Sequence, residues 1–384
     1  MNDKIIRVLH LPSTVGGNPH SISQHLNLMG FKSESWSLRG NYLNYPSDKF
    51  ICSSKDGFFL QEIKKLWALR YIFFYDVIFF NFGRTLFKPV ASAPKAMNPS
   101  LGKMLLFLYS SYSSLMQKIE LLFLKYLKKI VLIQYQGDDA RQGDYCVSHF
   151  AISIATQVDS NYYTKASDSL KREQIEFISR YCNKIYALNP DLLHVLPERA
   201  EFLPYSNISL SEWSPVYTQL EDRPLRIGHA PSHRGVKGTD LIIAAVDRLQ
   251  VAGYKFEFVL IEGLSNLEAK ERYKSIDVVV DQLFAGWYGG FAVECMALGK
   301  PVLAYIREDD LVFIPEQMRE DLPIINVSPD TIEQGLMQIL EMSHEELYRL
   351  AKRCRDYVEK WHDPITIAQR IKHDIVEAIG QTDL

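Results

Sequence analysis

Short apolar runs alternate along this chain with longer stretches whose apolar residues recur at helical spacing. Ile5 to Leu11, Ser33 to Leu38, Tyr75 to Phe82, Ile130 to Gln134, Lys184 to Leu188 and Glu201 to Tyr205 read as buried strands. Helical stretches separate them: one runs through Leu28, a second from Leu170 to Cys182, and a short third from Pro190 to Leu196. A second series begins with strands Leu225 to His229, Tyr254 to Ile261, Asp277 to Val280 and Val302 to Ile306. Its helices fall at Leu241 to Leu249, Asn266 to Lys274, Phe291 to Leu298, Pro315 to Asp321 and Asp330 to Leu340. A long helix, His344 to Trp361, is broken by Asp363-Pro364 before a last one, Ile365 to Ile379. Strands alternating with helices predict doubly wound parallel sheets.

The series divides near Ser206 to Arg223, which is rich in Ser, Pro, Glu and Asp, lacks periodicity and reads as a linker. At 384 residues two α/β domains are the expectation. Gly83 to Gly102, with three prolines, reads as a long loop, and long loops in compact domains are often functional. Two regions break the even pattern. Leu66 to Phe82 is crowded with aromatics, and Met104 to Lys129 mixes leucines with Lys118, Lys125, Lys128 and Lys129. One reading is a core strand plus an amphipathic packing helix; the other is a basic apolar surface lying on a membrane.

Composition narrows the class. A formal net charge of -3 gives no field suited to nucleic acid. Cys52, Cys146, Cys182, Cys295 and Cys354 are far apart and form no C-x-x-C pair, which suits a reduced cytoplasmic protein without a zinc site. The start of the chain runs directly into a strand pattern with no signal-peptide character, and no run of 18 apolar residues occurs.

The chemistry concentrates in Ile276 to Ile306. A buried strand leads into a loop containing Gly286, Gly289 and Gly290, then a short helix stopped by Gly299, then a second strand opened by Pro301. Glu294 lies about one turn into the helix, beside the free N–H groups of its start, an arrangement suited to a phosphate with a ribose alongside. Trp287 and Tyr288 either stack on a base or sugar or pin the loop to the core. Gly290, Phe291, Glu294, Met296, Ala297, Gly299, Pro301, Val302 and Ala304 resemble the carboxyl-terminal signature of GT-B glycosyltransferases of the family 4 type. That signature has the form EGFGL-x-x-LEAMA-x-G-x-PV-A. The family's first glutamate falls on Gly286, with Asp281 or the loop backbone as its substitute.

The resemblance implies two Rossmann-like domains facing each other across a cleft. Residues 1–210 would form the acceptor-side domain, 224–363 the sugar-nucleotide domain, and helix 364–384 would pack back on the first. Glu294 would bind the donor ribose, with Gly289, Gly290 and Phe291 lining the donor site. The family's R-x-x-x-x-KG loop places Lys237 on the diphosphate; Ser232 stands at the arginine position and Arg234 serves instead. Glu262, which follows the strand Tyr254 to Ile261, is placed where it could face the same cleft. Gly16, Gly17 and Asn18 match the glycine loop near the acceptor. Where the family carries H-G-x-D, this chain has Gln136, Gly137, Asp138 and Asp139, followed by Arg141; Asp139 either contacts sugar hydroxyls or forms a loop pair with Arg141. The implied reaction is retaining transfer from a UDP- or GDP-sugar to a glycan or lipid-linked acceptor in bacterial surface polysaccharide assembly. No cofactor and no metal is required, and contact with the cytoplasmic membrane face is peripheral. Two other readings stay open: a sugar-nucleotide epimerase or hydrolase, and a non-catalytic nucleotide-sugar-binding subunit. A glycan phosphorylase is disfavoured, because no pyridoxal phosphate lysine is recognisable.

Overall fold

The computed structural model describes residues 5–40, 45–91, 99–217, 223–264 and 266–382. The buried apolar runs assemble into two parallel sheets. The first contains β1 (Arg7–Leu11), β2 (Lys32–Ser37), β3 (Lys49–Phe50), β4 (Val77–Asn81), β5 (Ile130–Tyr135), β6 (Lys184–Ala187) and β7 (Glu201–Phe202) in the order β3-β2-β1-β4-β5-β6-β7. The second contains β8 (Leu225–His229), β9 (Phe256–Leu260), β10 (Val278–Val280), β11 (Val302–Ala304) and β12 (Ile325–Asn326), ordered β12-β11-β10-β8-β9. Every pairing is parallel, and β4 and β5 are buried along their whole length, as central strands covered on both faces must be. The predicted α/β class with two doubly wound sheets is what the chain adopts.

Helices α1 (Asn18–Leu28), α2 (Phe58–Leu69), α3 (Pro99–Tyr126), α4 (Gly143–His149) and α5 (Lys165–Ser179) belong to the first half. The second half carries α6 (Arg234–Lys237), α7 (Thr239–Val251), α8 (Asn266–Lys274), α9 (Gly290–Ala297), α10 (Glu316–Asp321), α11 (Ile332–Glu341) and α12 (His344–Trp361). After the break at Pro364, α13 (Pro364–Thr382) returns to the first sheet. Its Ile367, Ala368, Ile371 and Ile375 are buried with Val8, Ile22, Val77 and Phe79, the stripe a 3.6-residue period provides. Tyr186 Oη donates to Asp374 at 2.6 Å, and Arg370 donates to the Phe202 carbonyl at 2.8 Å. These bonds tie the return helix to β6 and β7.

Two sequence expectations change. Leu66 to Phe74 is not strand: α2 continues into a single-turn 3-10 helix, Arg70–Phe74, and only β4 carries the strand character of that region. The loop expected to reach Gly102 ends earlier, because α3 begins at Pro99; residues 92–98 lie outside the described residues. Ala68 of α2 and Leu121 and Leu124 of α3 are buried in the first core, while other apolar residues of these helices and of the 3-10 turn face solvent. Phe59, Ile63, Trp67, Phe73 and Phe74 are exposed on one element, and Phe107, Leu108, Leu115 and Leu122 on the other. Among the described residues no helix is long and apolar enough to cross a membrane.

Candidate active site

The predicted loops come together at the carboxyl ends of both sheets. Gly16 and Gly17 have φ of +71° and +74°, a left-handed pair that turns β1 sharply into α1. A Cβ on Gly16 would lie 3.9 Å from Gln136 Oε1, and one on Gly17 would lie 3.7 Å from the Asn207 carbonyl. Asn18 is fully buried and accepts from the Ser206 amide at 2.7 Å, so it fastens the glycine loop to the segment joining the two sheets. Asn207 then reaches the second half. Its amide nitrogen donates to Glu294 Oε1 at 3.3 Å and lies 3.3 Å from the position of a Cβ on Gly290. Asn207 carried no signal in the sequence, where it sits in the presumed linker.

Lys237 provides the fixed cation. It closes α6 and its Nζ donates to Asp281 Oδ1 at 2.5 Å, while Asp281 Oδ2 accepts from the Gly289 amide at 2.6 Å. Asp281 is fully buried and Lys237 nearly so. One carboxylate therefore locks the lysine against the amino-terminal turn of α9; a Cβ on Gly289 would lie 3.5 Å from Nζ. The first-turn amides of an α-helix have no carbonyl partner within the helix and carry partial positive charge, so an ammonium beside them makes an anion-binding corner. Glu294, one turn along, is buried at its flank. Phe291 packs beside it, its ring 5.0 Å from that of Tyr273. Under the strand ends, His229 bridges the Val280 carbonyl and Thr239; burial chiefly lowers its pKa to about 4, so it is a neutral strut.

Other predicted residues take different roles. Trp287 and Tyr288 are fully buried, which excludes the stacking reading for these side chains. Trp287 meets Phe202 edge-on, and Tyr288 Oη is bonded to Tyr357 at 2.9 Å and His362 at 2.8 Å; the pair holds the glycine loop to the core. Arg234 extends outward to Glu262 in a two-point exposed pair at 2.9 and 2.7 Å, so both have a structural partner. Asp139 accepts from the Gln136 amide at 3.0 Å and the Gly137 amide at 2.6 Å, and burial raises its pKa. It shapes its own loop. The alternative, an Asp139–Arg141 loop pair, is not formed: Arg141 binds Asp191 at 2.6 and 3.1 Å. Asp138 accepts hydroxyl protons from Tyr162 and Tyr163, and Tyr162 lies edge-on to His233 at 5.8 Å, closing the cleft at this end.

Gly286 has a clear physical reason to be glycine. Its φ is +79°, and a Cβ there would lie 2.6 Å from an Arg307 guanidinium nitrogen. Arg307 is itself held by Asp310 at 2.7 Å, by the Ile152 carbonyl at 2.9 Å and by the face of Phe150 at 3.6 Å. Asp310 also pairs with His194 at 2.8 Å. The place of the first glutamate of the signature is thus taken by an arginine that ties the second half to the first.

No protein-family model matches the chain, and no curated protein matches it in sequence. Solved structures match its fold. Sucrose-phosphate synthase (tll1590) from Thermosynechococcus elongatus superposes with a TM-score of 0.59 at 13% identity, covering 98% of this chain and 100% of the other. The catalytic domain of starch synthase IV from Arabidopsis thaliana, bound to ADP and acarbose, gives 0.60 at 11% identity over 98% and 99%. HepE from Anabaena, in complex with UDP-glucose, gives 0.56 at 10% identity over 98% and 100%. The fold of this chain is GT-B.

Proposed function

We propose that this protein is a glycosyltransferase that moves a sugar from a nucleotide-sugar donor to an acceptor hydroxyl, with the donor on the 224–363 side and the acceptor on the 1–210 side. The observation that carries this reading is the Lys237–Asp281–Gly289 lock beside Glu294, facing the Gly16–Gly17 loop through Asn207. A departing nucleoside diphosphate gains negative charge in the transition state, and a cation already fixed at that point lowers the barrier without reorganising. Lys237 and the first turn of α9 supply that charge, and Glu294 receives the ribose hydroxyls. Charge stabilisation of this kind supports a metal-independent reaction. Retention follows when the departing phosphate oxygen takes the acceptor proton on the same sugar face, a route that needs no protein nucleophile. Solved GT-B relatives in complex with UDP-glucose, or with ADP and acarbose, make a sugar nucleotide and a glycan acceptor the natural substrates to test.

The exposed aromatic and leucine side chains of α2 and α3, with Lys64, Lys118 and Lys125 on the same helices, support peripheral attachment to an anionic cytoplasmic membrane face, and so a lipid-linked acceptor in surface polysaccharide assembly. A specific observation favours a second reading. Arg307 at the Gly286 position removes the usual acidic contact to the donor sugar, as in a subunit that binds nucleotide sugar without turning it over. Donor consumption that requires an acceptor supports the transferase; consumption by water or epimerisation without acceptor supports a hydrolase or epimerase; tight donor binding without consumption supports the binding subunit.

A further inference from the structure

The loop after β4 carries two cations that the donor chemistry does not use. Between Asp76 and Glu120 the sequence contains no Asp or Glu, while Arg84 and Lys88 follow one another four residues apart. The loop is rigidly mounted. Glu120 of α3 accepts from the Leu86 and Phe87 amides at 3.1 and 3.3 Å, Thr85 Oγ1 donates to the Phe87 carbonyl at 2.7 Å, and Gln117 donates to Thr85 at 3.2 Å. Leu86 and Phe87 are fully buried, which leaves the chain around Arg84 and Lys88 little freedom.

Arg84 Nε is buried without a hydrogen bond, and among the described residues neither Arg84 nor Lys88 makes an ion pair. The nearby carboxylates are committed elsewhere, Glu120 to the loop amides and Asp139 to those of Gln136 and Gly137. Lys171 lies on the flank, its Nζ donating to the Arg141 carbonyl at 2.5 Å. Burial, then the charge of Arg84, lowers the Lys88 pKa to about 8. Holding two desolvated cations together, with the nearby carboxylates hydrogen-bonded to backbone amides instead, costs stability, and a bound anion lowers that cost. The location faces the reaction. A Cβ on Gly83 would lie 2.8 Å from Asp139 Oδ2, so the loop stands on the same strand-end rim as Gln136 and Gly16.

We propose that Arg84 and Lys88 form a phosphate-binding subsite of the acceptor side, and hence that the acceptor is a phosphorylated compound. The inference rests on the transferase reading for the word acceptor. The phosphate belongs either to a soluble sugar phosphate or to a lipid-linked one presented at the α2–α3 surface.

The test measures binding by thermal stabilisation and calorimetry in wild type and in Arg84→Gln/Lys88→Gln. The probes are inorganic phosphate, a hexose 6-phosphate with its parent hexose, and phosphatidylcholine vesicles with and without phosphatidic acid. Wild type is expected to bind phosphate, and the double variant at least tenfold more weakly while keeping its response to sugar nucleotides. Preference for hexose 6-phosphate over hexose assigns the soluble source; preference for phosphatidic acid vesicles, lost in the double variant, assigns the lipid source. Unchanged phosphate affinity in the double variant, or none in wild type, overturns the proposal. Absence of any sugar-nucleotide response in wild type counts against the transferase reading instead. If the double variant does not fold, Lys88→Gln alone gives the reading: a several-fold loss supports the subsite and no loss overturns it.

Discussion

Lys237 and Asp281 share a buried ion pair, and removing one partner of such a pair leaves the other charge stranded, at a cost of about 3–5 kcal/mol. Lys237→Ala is therefore expected to lower stability by that order and to reduce donor turnover by roughly 10²–10³, as loss of a preorganised transition-state contact does. Denaturant titration and acceptor-dependent donor consumption check the two parts. Arg234→Ala, at an exposed pair, is expected to change stability little, and a stability loss comparable to that of Lys237→Ala would show that its surface position is misread. Restoring the signature residue by Gly286→Glu is expected to destabilise rather than activate. A side chain there meets Arg307 and demands a left-handed backbone, which costs about 1–3 kcal/mol; a variant of wild-type stability with raised turnover would contradict this. At this scale the placement of Lys237, Glu294 and Gly290 about one helix start was legible, because the glycine loop and the helix after it fix where those residues fall. The direction of Trp287 and Tyr288 was not legible: aromatic residues in a glycine loop fit a ligand and a core equally well until tertiary packing decides.

The elements follow the hydrophobic period closely wherever they are buried on both sides, as β4, β5 and β10 are. They depart from it where apolar residues face outward. Leu66 to Phe74 has the aromatic density of a strand, but its helical continuation from α2 leaves the rings exposed, so composition misled. The short edge strands β3 and β12, two residues each, carry no pattern long enough to see. The junction of α3 with the β4 loop makes a pH prediction. Burial raises the Glu120 pKa from 4.5 to about 7, against the lowering effect of the Leu86 and Phe87 amides and of Arg84. A raised carboxyl pKa means the folded state holds the proton longer than the unfolded chain. Its contribution is thus fully present below about 4.5 and is lost as pH rises to about 7, on the order of 3 kcal/mol. Glu120→Gln is expected to flatten that part of the stability–pH curve; an unchanged slope would place the titration elsewhere.

Across the whole molecule, the contacts that bring the two halves together include Asn18–Ser206, Asn207–Glu294, Asp310–His194, Arg307 on Ile152, Trp287 on Phe202, and α13 on the first sheet. His362, at the break before α13, bonds the Tyr205 carbonyl and Tyr288 at 2.8 Å each, and burial lowers its pKa to about 4. These contacts bring together residues far apart in sequence, and no local pattern announces them. That is why the two sheets could be read from the chain while Asn207 and Arg307 could not. The α2–α3 surface predicts cosedimentation with anionic vesicles at low salt that weakens at high salt; no binding at low salt would contradict membrane attachment. The central claim, a sugar-nucleotide site at the start of α9, is tested most directly by thermal stabilisation with nucleoside diphosphates and their sugars on wild type and Glu294→Ala. At about 100 times its dissociation constant a ligand adds about 2.7 kcal/mol. A shift with one base family in wild type, lost in Glu294→Ala, is the predicted result; no shift with any nucleotide, or an equal shift in both proteins, would contradict it.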